Sequence, residues 1–238
     1  MSFGGESGKR QGLEHRMRQN PTDAEPCREL AKLFEAQGDL FAAARAQRQA
    51  AARKPDRPWD RFLSARLAMA AEAQRERNPK QTLPPEELEE VRLPSAEEAS
   101  IELRIALELD PDFGAAFREL ARLDTTRARV LKDQEQSRAA AERAISRCAE
   151  AIRLDPSDAE GHRVLGDVHF HVRGAFADAR KHYLDAIAID ARNVDARAML
   201  AATHWREGDR DTAFRELTHA LSIAPDHELA NEILKEIR

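Results

Sequence analysis

The stretch AIRLDPSDAEG, residues 151–161, recurs in looser form along the chain. Each copy has the apolar end of one helical pattern, a short corner that usually contains Asp and Pro, and the start of another pattern. Aspartate favours turns, and proline cannot stand in the interior of a helix. The stretch therefore separates two helices. Its corner positions are Pro21, Pro55, Pro111, Pro156, Ala191 and Pro225.

The spacing of these corners reveals a repeat. Successive corners are 34, 56, 45, 35 and 34 residues apart. A base period of 34 residues occurs at both ends, and the second and third intervals are longer by 22 and 11 residues. Periods of about 20–50 residues are typical of stacked supersecondary units.

Each period contains two amphipathic patterns. In the last period, Ala213, Leu217, Ala220 and Ile223 are spaced by 4, 3 and 3 residues, which places one apolar stripe along a helix. The first pattern of a period carries an apolar residue followed by a small one, which allows two helices to approach closely. Examples are Leu30-Ala31, Leu120-Ala121 and Leu165-Gly166.

In these features the chain resembles the tetratricopeptide repeat (TPR) proteins, whose units of about 34 residues are antiparallel helix pairs with small residues at key positions and a late proline. The resemblance covers residues 20–238. It implies an all-α, right-handed superhelix of about five helix pairs with a C-terminal capping helix. The tryptophan usual near the start of the first helix is replaced by Cys27, Phe117, His162 and Arg197, a departure that such repeats tolerate.

The pattern also predicts the organisation of the chain. A flexible tail is expected over 1–12 and the repeat array over 13–238. Prolines make 74–95 an inserted loop. The 11 additional residues of the third unit lengthen both of its helices into a protruding hairpin. The predicted units are 24–57, 58–113, 114–158, 159–193 and 194–227, with the cap at 227–238.

Composition excludes several classes of protein. A net charge of −5 argues against a nucleic-acid binder. No apolar run approaches the ~18 residues of a membrane span, and the N-terminus lacks the apolar segment of a secretory signal. Cys27 and Cys148 make no disulfide framework. We therefore expect a cytoplasmic protein without membrane insertion, and the abundance of Arg and Ala suggests a bacterial source.

No catalytic motif is complete. GGESGKR (4–10) lacks the first Gly and the final Ser or Thr of a phosphate loop, and HELAN (227–231) has Asn where a zinc protease needs its second His. No enzyme activity, metal site or cofactor is predicted. The histidines of the fourth unit are assigned to helix packing: His162, His169, His171 and His182.

In TPR relatives, first-helix side chains line a concave groove. The equivalent positions here hold a row of cations with two aromatic residues, which suits an acidic peptide with an apolar anchor. The resemblance therefore implies a non-catalytic adaptor or assembly scaffold that binds a partner peptide or helix. The predicted groove residues are Arg28, Lys32, Arg66, Arg118, Arg122, Arg163, Phe170 and Trp205.

The distribution of charge leaves an alternative open. Residues 45–80 are rich in Arg and Lys, whereas residues 86–110 are rich in Glu and Asp. Such runs are usually solvated surface. They could also make the chain a structural subunit that forms a homo-oligomer, or docks in a larger complex, through the hairpin and these segments.

Overall fold

The computed structural model describes residues 3–77 and 95–237, so most of the loop predicted at 74–95 lies outside the described residues. The described residues form twelve α-helices and one π-helical turn, and no strand. The helices are α1 (Phe3–Gln19), α2 (Glu25–Ala36), α3 (Leu40–Arg53), α4 (Pro58–Arg77), α5 (Ala96–Leu109), α6 (Gly114–Val130), α7 (Gln134–Leu154), α8 (Ala159–Val168), α9 (Phe176–Ile189), α10 (Val194–Glu207), α11 (Arg210–Ile223) and α12 (Glu228–Ile237), and the π-helical turn is His169–Arg173.

The chain divides into two compact units, residues 1–112 and 113–238. In the first unit, α1 packs on α2, α2 pairs with α3, and α4 pairs with α5. In the second unit, α6 pairs with α7, α8 with α9, and α10 with α11, and α12 packs against the last pair. The all-α prediction is confirmed. None of the described helices is long and apolar enough to cross a membrane.

The start of the chain differs from the prediction of a flexible tail over 1–12. Helix α1 begins at Phe3, and its buried Leu13 packs with Leu30 and Ala31 of α2. Residues 7–12 are exposed. Apolar periodicity marks only helices with a buried face, so it does not indicate the helical conformation of residues 7–12.

Aspartates give the corners their shape. The side chains of Asp110, Asp155 and Asp190 each accept a hydrogen bond from the backbone N–H two residues later, at 3.2, 3.0 and 2.9 Å. This local bond turns the backbone directly after a helix ends. The corner that recurs in the sequence is therefore a recurring hydrogen-bonded turn.

The third helix pair is longer than the last one. Helices α6 and α7 have 17 and 21 residues, whereas α10 and α11 have 14 each. The π-helical turn extends α8 alongside this longer pair, and its Val172 packs with Leu131 on the same apolar cluster. Gly174, at φ 61°, then ends the turn in the left-handed conformation.

Fully buried small residues bring the helices of each pair together. In the fifth unit, Ala201, Ala213 and Ala220 have no exposed surface, and Leu217 has almost none. The fourth unit replaces this alanine–leucine packing by glycine and tyrosine. A Cβ built on Gly166 would lie 2.6 Å from Cε1 of the buried Tyr183. Only glycine leaves room for that ring.

Gly166→Ala should therefore lower the free energy of unfolding of the second unit by about 1–3 kcal/mol, because the methyl group overpacks the contact with Tyr183. Gly12→Ala is the control, since a Cβ there meets nothing within 4 Å and improves helix propensity by up to about 1 kcal/mol. Urea unfolding followed by circular dichroism measures both. An unchanged midpoint for Gly166→Ala would contradict the packing account.

Candidate functional site

The predicted groove residues fall in both compact units. Arg28 and Lys32 lie on α2 and Arg66 on α4, all in the first unit. The second unit contains the other members of the set. These are Arg118 and Arg122 on α6, Arg163 on α8, Phe170 in the π-helical turn and Trp205 on α10.

Arg28 joins three helices of the first unit. Its Nε donates to Asp60 Oδ1 at 2.9 Å, and its Nη2 donates to Asp60 Oδ2 at 2.6 Å. The Asp60 side chain, near the start of α4, is only 4% exposed. Gln47 of α3 donates a third hydrogen bond to it, at 3.1 Å. Arg28 thus neutralises a buried carboxylate and has no charge left for a ligand.

Arg118 has the same role between the third and fourth repeats. Its Nη1 donates to both carboxylate oxygens of Asp158, at 2.8 and 2.9 Å. Asp158 stands at the N-cap of α8 but makes no capping hydrogen bond to that helix, unlike the N-cap Asp209 of α11. The carboxylate faces the arginine of the preceding repeat instead of its own helix.

Arg163 belongs to a network that reaches the fifth repeat. Its Nε donates to Glu160 at 2.9 Å and its Nη1 to Asp167 at 2.6 Å. Glu160 also accepts a hydrogen bond of 2.9 Å from the side chain of Asn193, which caps α10. The hydroxyl of Tyr183 donates to Asp167 at 2.9 Å. Burial raises the pKa of the Asp167 carboxyl in spite of these donors.

These contacts give three of the predicted groove residues carboxylate partners within the chain. Arg28, Arg118 and Arg163 each stand fifth in their predicted units. Arg28 and Arg118 connect their first helix directly to the start of the next helix pair, and so tie successive repeats. Arg163 pairs with carboxylates of its own helix, of which Glu160 also accepts a hydrogen bond from Asn193 at the start of α10. The sequence pattern did not reveal the ties because Asp60 and Asp158 stand 32 and 40 residues further along the chain.

The remaining predicted cations are exposed. Lys32 has no ion pair among the described residues. Arg66 reaches Glu35 of α2 at 3.0 Å, but the two side chains are 44% and 43% exposed. Arg122 lies 3.6 Å from Glu119, one turn away on α6, and is half-exposed. Water screens both pairs, so these cations remain available to a ligand.

The two predicted aromatic residues are half-buried on one apolar cluster of the second unit. The ring of Phe170 meets those of His171 and Phe176 edge-on, with centroids 4.9 and 5.4 Å apart. The ring of Trp205 carries the guanidinium of Arg210 at 5.1 Å from its centroid. Each ring therefore packs against the apolar cluster on one side and is partly exposed to solvent on the other.

Three further residues lie close to Phe170: His171 follows it in the turn, and Arg129 and Arg206 lie near His171. The resemblance also assigns His171 and Arg206 to groove-lining positions, whereas it does not predict Arg129. Burial, together with Arg129 of α6 and Arg206 of α10, lowers the pKa of His171 to about 4, so His171 is neutral at pH 7. Arg129 and Arg206 are both exposed. The additional residues of the third unit extend α6 as far as Arg129, beyond the positions that the repeat pattern assigns to a groove.

One group of side chains within the described residues has the arrangement of metal ligands. It consists of His162, His182 and Asp185, on α8 and α9. The repeat pattern assigned both histidines to packing, because it does not show how close the second helix brings His182 to His162.

If Arg28 is a tie, Arg28→Ala should cost about 3 kcal/mol of stability in the first unit, because it leaves the buried Asp60 without its cation. Arg66→Ala removes a similar pair at the surface and should cost less than about 1 kcal/mol. Urea unfolding compares the two variants. If both variants lost the same free energy of unfolding, the buried pair of Arg28 would be no more important for stability than the exposed pair of Arg66.

Comparison with known proteins agrees with this architecture. No protein-family model matches the chain. Human protein O-mannosyl-transferase TMTC3 is 27% identical over 141 residues, which are 59% of this chain and 14% of the human protein. The chain therefore matches only a small part of that relative.

Two solved structures share the helix arrangement. A thermophilic TPR protein from Thermus thermophilus aligns with 90% of this chain and 98% of its own, at a TM-score of 0.72 and 19% identity. YrrB, described as a TPR protein with an unusual peptide-binding site, aligns with 94% and 97% at a TM-score of 0.51 and 19% identity. The chain has the fold of the tetratricopeptide repeat proteins, as its period of corners predicts.

Proposed function

We propose that the chain is a non-catalytic adaptor that captures an acidic peptide or helix with an apolar anchor. The surface that supports this role best lies in the second unit, where α6, the π-helical turn and α10 succeed one another. We call it the cationic face. It consists of Arg122, Arg129, Phe170, His171, Trp205 and Arg206.

The observation that carries the proposal is the lack of carboxylate partners on this face. Arg129 and Arg206 are exposed, and neither makes an ion pair with any residue that the structure describes. Arg122, seven residues before Arg129 and so on the same side of α6, has only the screened contact with Glu119. By contrast, Arg118 and Arg163 are tied to carboxylates. Unpaired guanidinium groups suit carboxylates supplied by a ligand.

Phe170 and Trp205 supply the apolar part of the proposed contact. Both pack on the same cluster and are therefore rigid, so a ligand would pay little entropy to order them. The guanidinium of Arg206 lies 5.2 Å from the centroid of Phe176, beside Phe170. The positive charge of Arg206 therefore lies next to the aromatic surface. A ligand with an apolar residue beside acidic residues could contact both at once.

The similarity to YrrB supports a peptide as the ligand, because that TPR protein is described as having a peptide-binding site. In the first unit, Lys32 and Arg66 are exposed cations of the same kind. We propose them as further contacts for an acidic ligand, to be tested independently of the cationic face.

Selection from a phage-displayed library of random peptides tests the proposal. The chain should enrich peptides with several Asp or Glu residues beside one aromatic residue or leucine. Reversing the three arginines of the cationic face (Arg122→Glu, Arg129→Glu and Arg206→Glu) should weaken the selected peptides at least about tenfold, since it removes the charges that the ligand needs. Fluorescence anisotropy measures the change.

A matched triple reversal controls for net charge. Arg138, Arg153 and Arg215 are exposed and lie on second helices of the same unit. Their reversal to Glu changes the total charge equally and should leave peptide affinity within about twofold. Circular dichroism verifies the fold of both triple variants. Equal loss in both, or selected peptides without acidic residues, would refute binding at the cationic face.

A further inference from the structure

We propose that His162, His182 and Asp185 form a zinc-binding site between the two helices of the fourth repeat. His162 is contributed by α8, and His182 and Asp185 stand three residues apart on α9. One nitrogen from each histidine and one carboxylate oxygen all lie within 4.8 Å of one another. Three protein ligands of this kind leave a fourth position of tetrahedral zinc open.

The distances fit a shared cation better than hydrogen bonds. Nδ1 of His162 lies 3.7 Å from Asp185 Oδ2, and Nδ1 of His182 lies 3.8 Å from the same oxygen. Hydrogen bonds between nitrogen and oxygen are about 2.7–3.2 Å long. Two ligands on tetrahedral zinc, each about 2.0–2.1 Å from the metal, are about 3.3 Å apart. The two nitrogen–oxygen distances exceed this separation by only about 0.4–0.5 Å, and all three ligand atoms lie within 4.8 Å of one another, so adjustment of the side chains would complete the coordination.

The nitrogen atoms also lack any other partner. Nδ1 of His162 and Nδ1 of His182 are both inaccessible to solvent and make no hydrogen bond. A buried polar atom without a partner costs free energy, so its presence calls for an explanation. If Nδ1 is unprotonated, its lone pair faces a carboxylate and is repelled, whereas a cation between them would attract both.

The surroundings orient the ligands and favour the neutral imidazole that metals require. The ring of His169 stacks on that of His182, with centroids 5.3 Å apart and planes at 18°. Burial and the neighbouring His169 lower the pKa of His182. Asp178, whose carboxylate is 3.9 Å from Nδ1 of His169, adds negative charge close to the site. The half-exposed Asp185 leaves a path from solvent.

The donor set selects the kind of metal. Imidazole nitrogens suit Zn²⁺ and its neighbours among the divalent transition metals, whereas Mg²⁺ and Ca²⁺ prefer oxygen donors. A site on two helices of one repeat would add a crosslink to the pair α8 and α9. The site is distinct from the cationic face in its ligand and in its residues, so either proposal can fail without the other.

Calorimetric titration of the untagged, chelator-treated chain with ZnCl₂ tests the site. We expect one equivalent to bind and the midpoint of thermal unfolding to rise by several degrees, because the ion binds only the folded pair. Co²⁺ should give tetrahedral d–d bands without a thiolate charge-transfer band. No stoichiometric zinc binding to the chain, or a cobalt spectrum with thiolate bands, would overturn the proposal.

Two variants and a control locate the ion. His182→Ala and Asp185→Asn should each weaken zinc at least about tenfold. Asp185 is half-exposed, so Asp185→Asn should leave the fold intact. It therefore tests zinc binding even if His182→Ala disturbs the fold. His227 faces a single carboxylate, Asp195, at 3.4 Å, and His227→Ala should leave zinc affinity unchanged. Zinc binding that survives Asp185→Asn, or that is lost in His227→Ala, would assign the ion elsewhere.

Discussion

Buried small residues let the two helices of each pair approach closely, and this packing positions the other side chains of the repeat. Alanines without exposed surface line the contacts of successive helix pairs, and they keep the axes near enough for larger side chains to interlock around them. Where the fourth repeat uses the ring of Tyr183, Gly166 restores the space. Because this packing fixes the spacing between first helices, it also decides which polar side chains of one repeat reach the next.

Charge on the first helices therefore divides into two kinds. Arg28 and Arg118 meet carboxylates that are largely withdrawn from water, and they hold consecutive repeats in register. Arg129 and Arg206 point to no carboxylate among the described residues. The sequence does not distinguish these arginines, but their burial does. Some tie repeats together, and others are exposed cations without a carboxylate partner among the described residues. Under the proposed function, the second kind is the one that contacts the ligand.

Much of the fold follows from the sequence, because helix period, corner chemistry and small residues are local signals. The corner aspartates and the buried stripe ending at Leu217 and Ala220 are examples. The function of individual side chains depends on distance across repeats, which local patterns do not contain. Hence the partner of Arg118 and the approach of His182 to His162 emerge only from the structure. The pattern predicts the later part of α1 as part of the array from residue 13, but not its start, because residues 7–12 are exposed and carry no buried apolar stripe.

Arg118 ties the third repeat to the fourth through Asp158, as Arg28 ties the first to the second through Asp60. A double-mutant cycle on Arg118 and Asp158 tests this tie, with urea unfolding followed by Trp205 fluorescence in a Trp59→Phe background. We expect Arg118→Ala and Asp158→Ala to be coupled by about 1–3 kcal/mol, because the two groups share one partly buried ion pair. Additive losses, with coupling below about 0.3 kcal/mol, would contradict it and return Arg118 to the free cations.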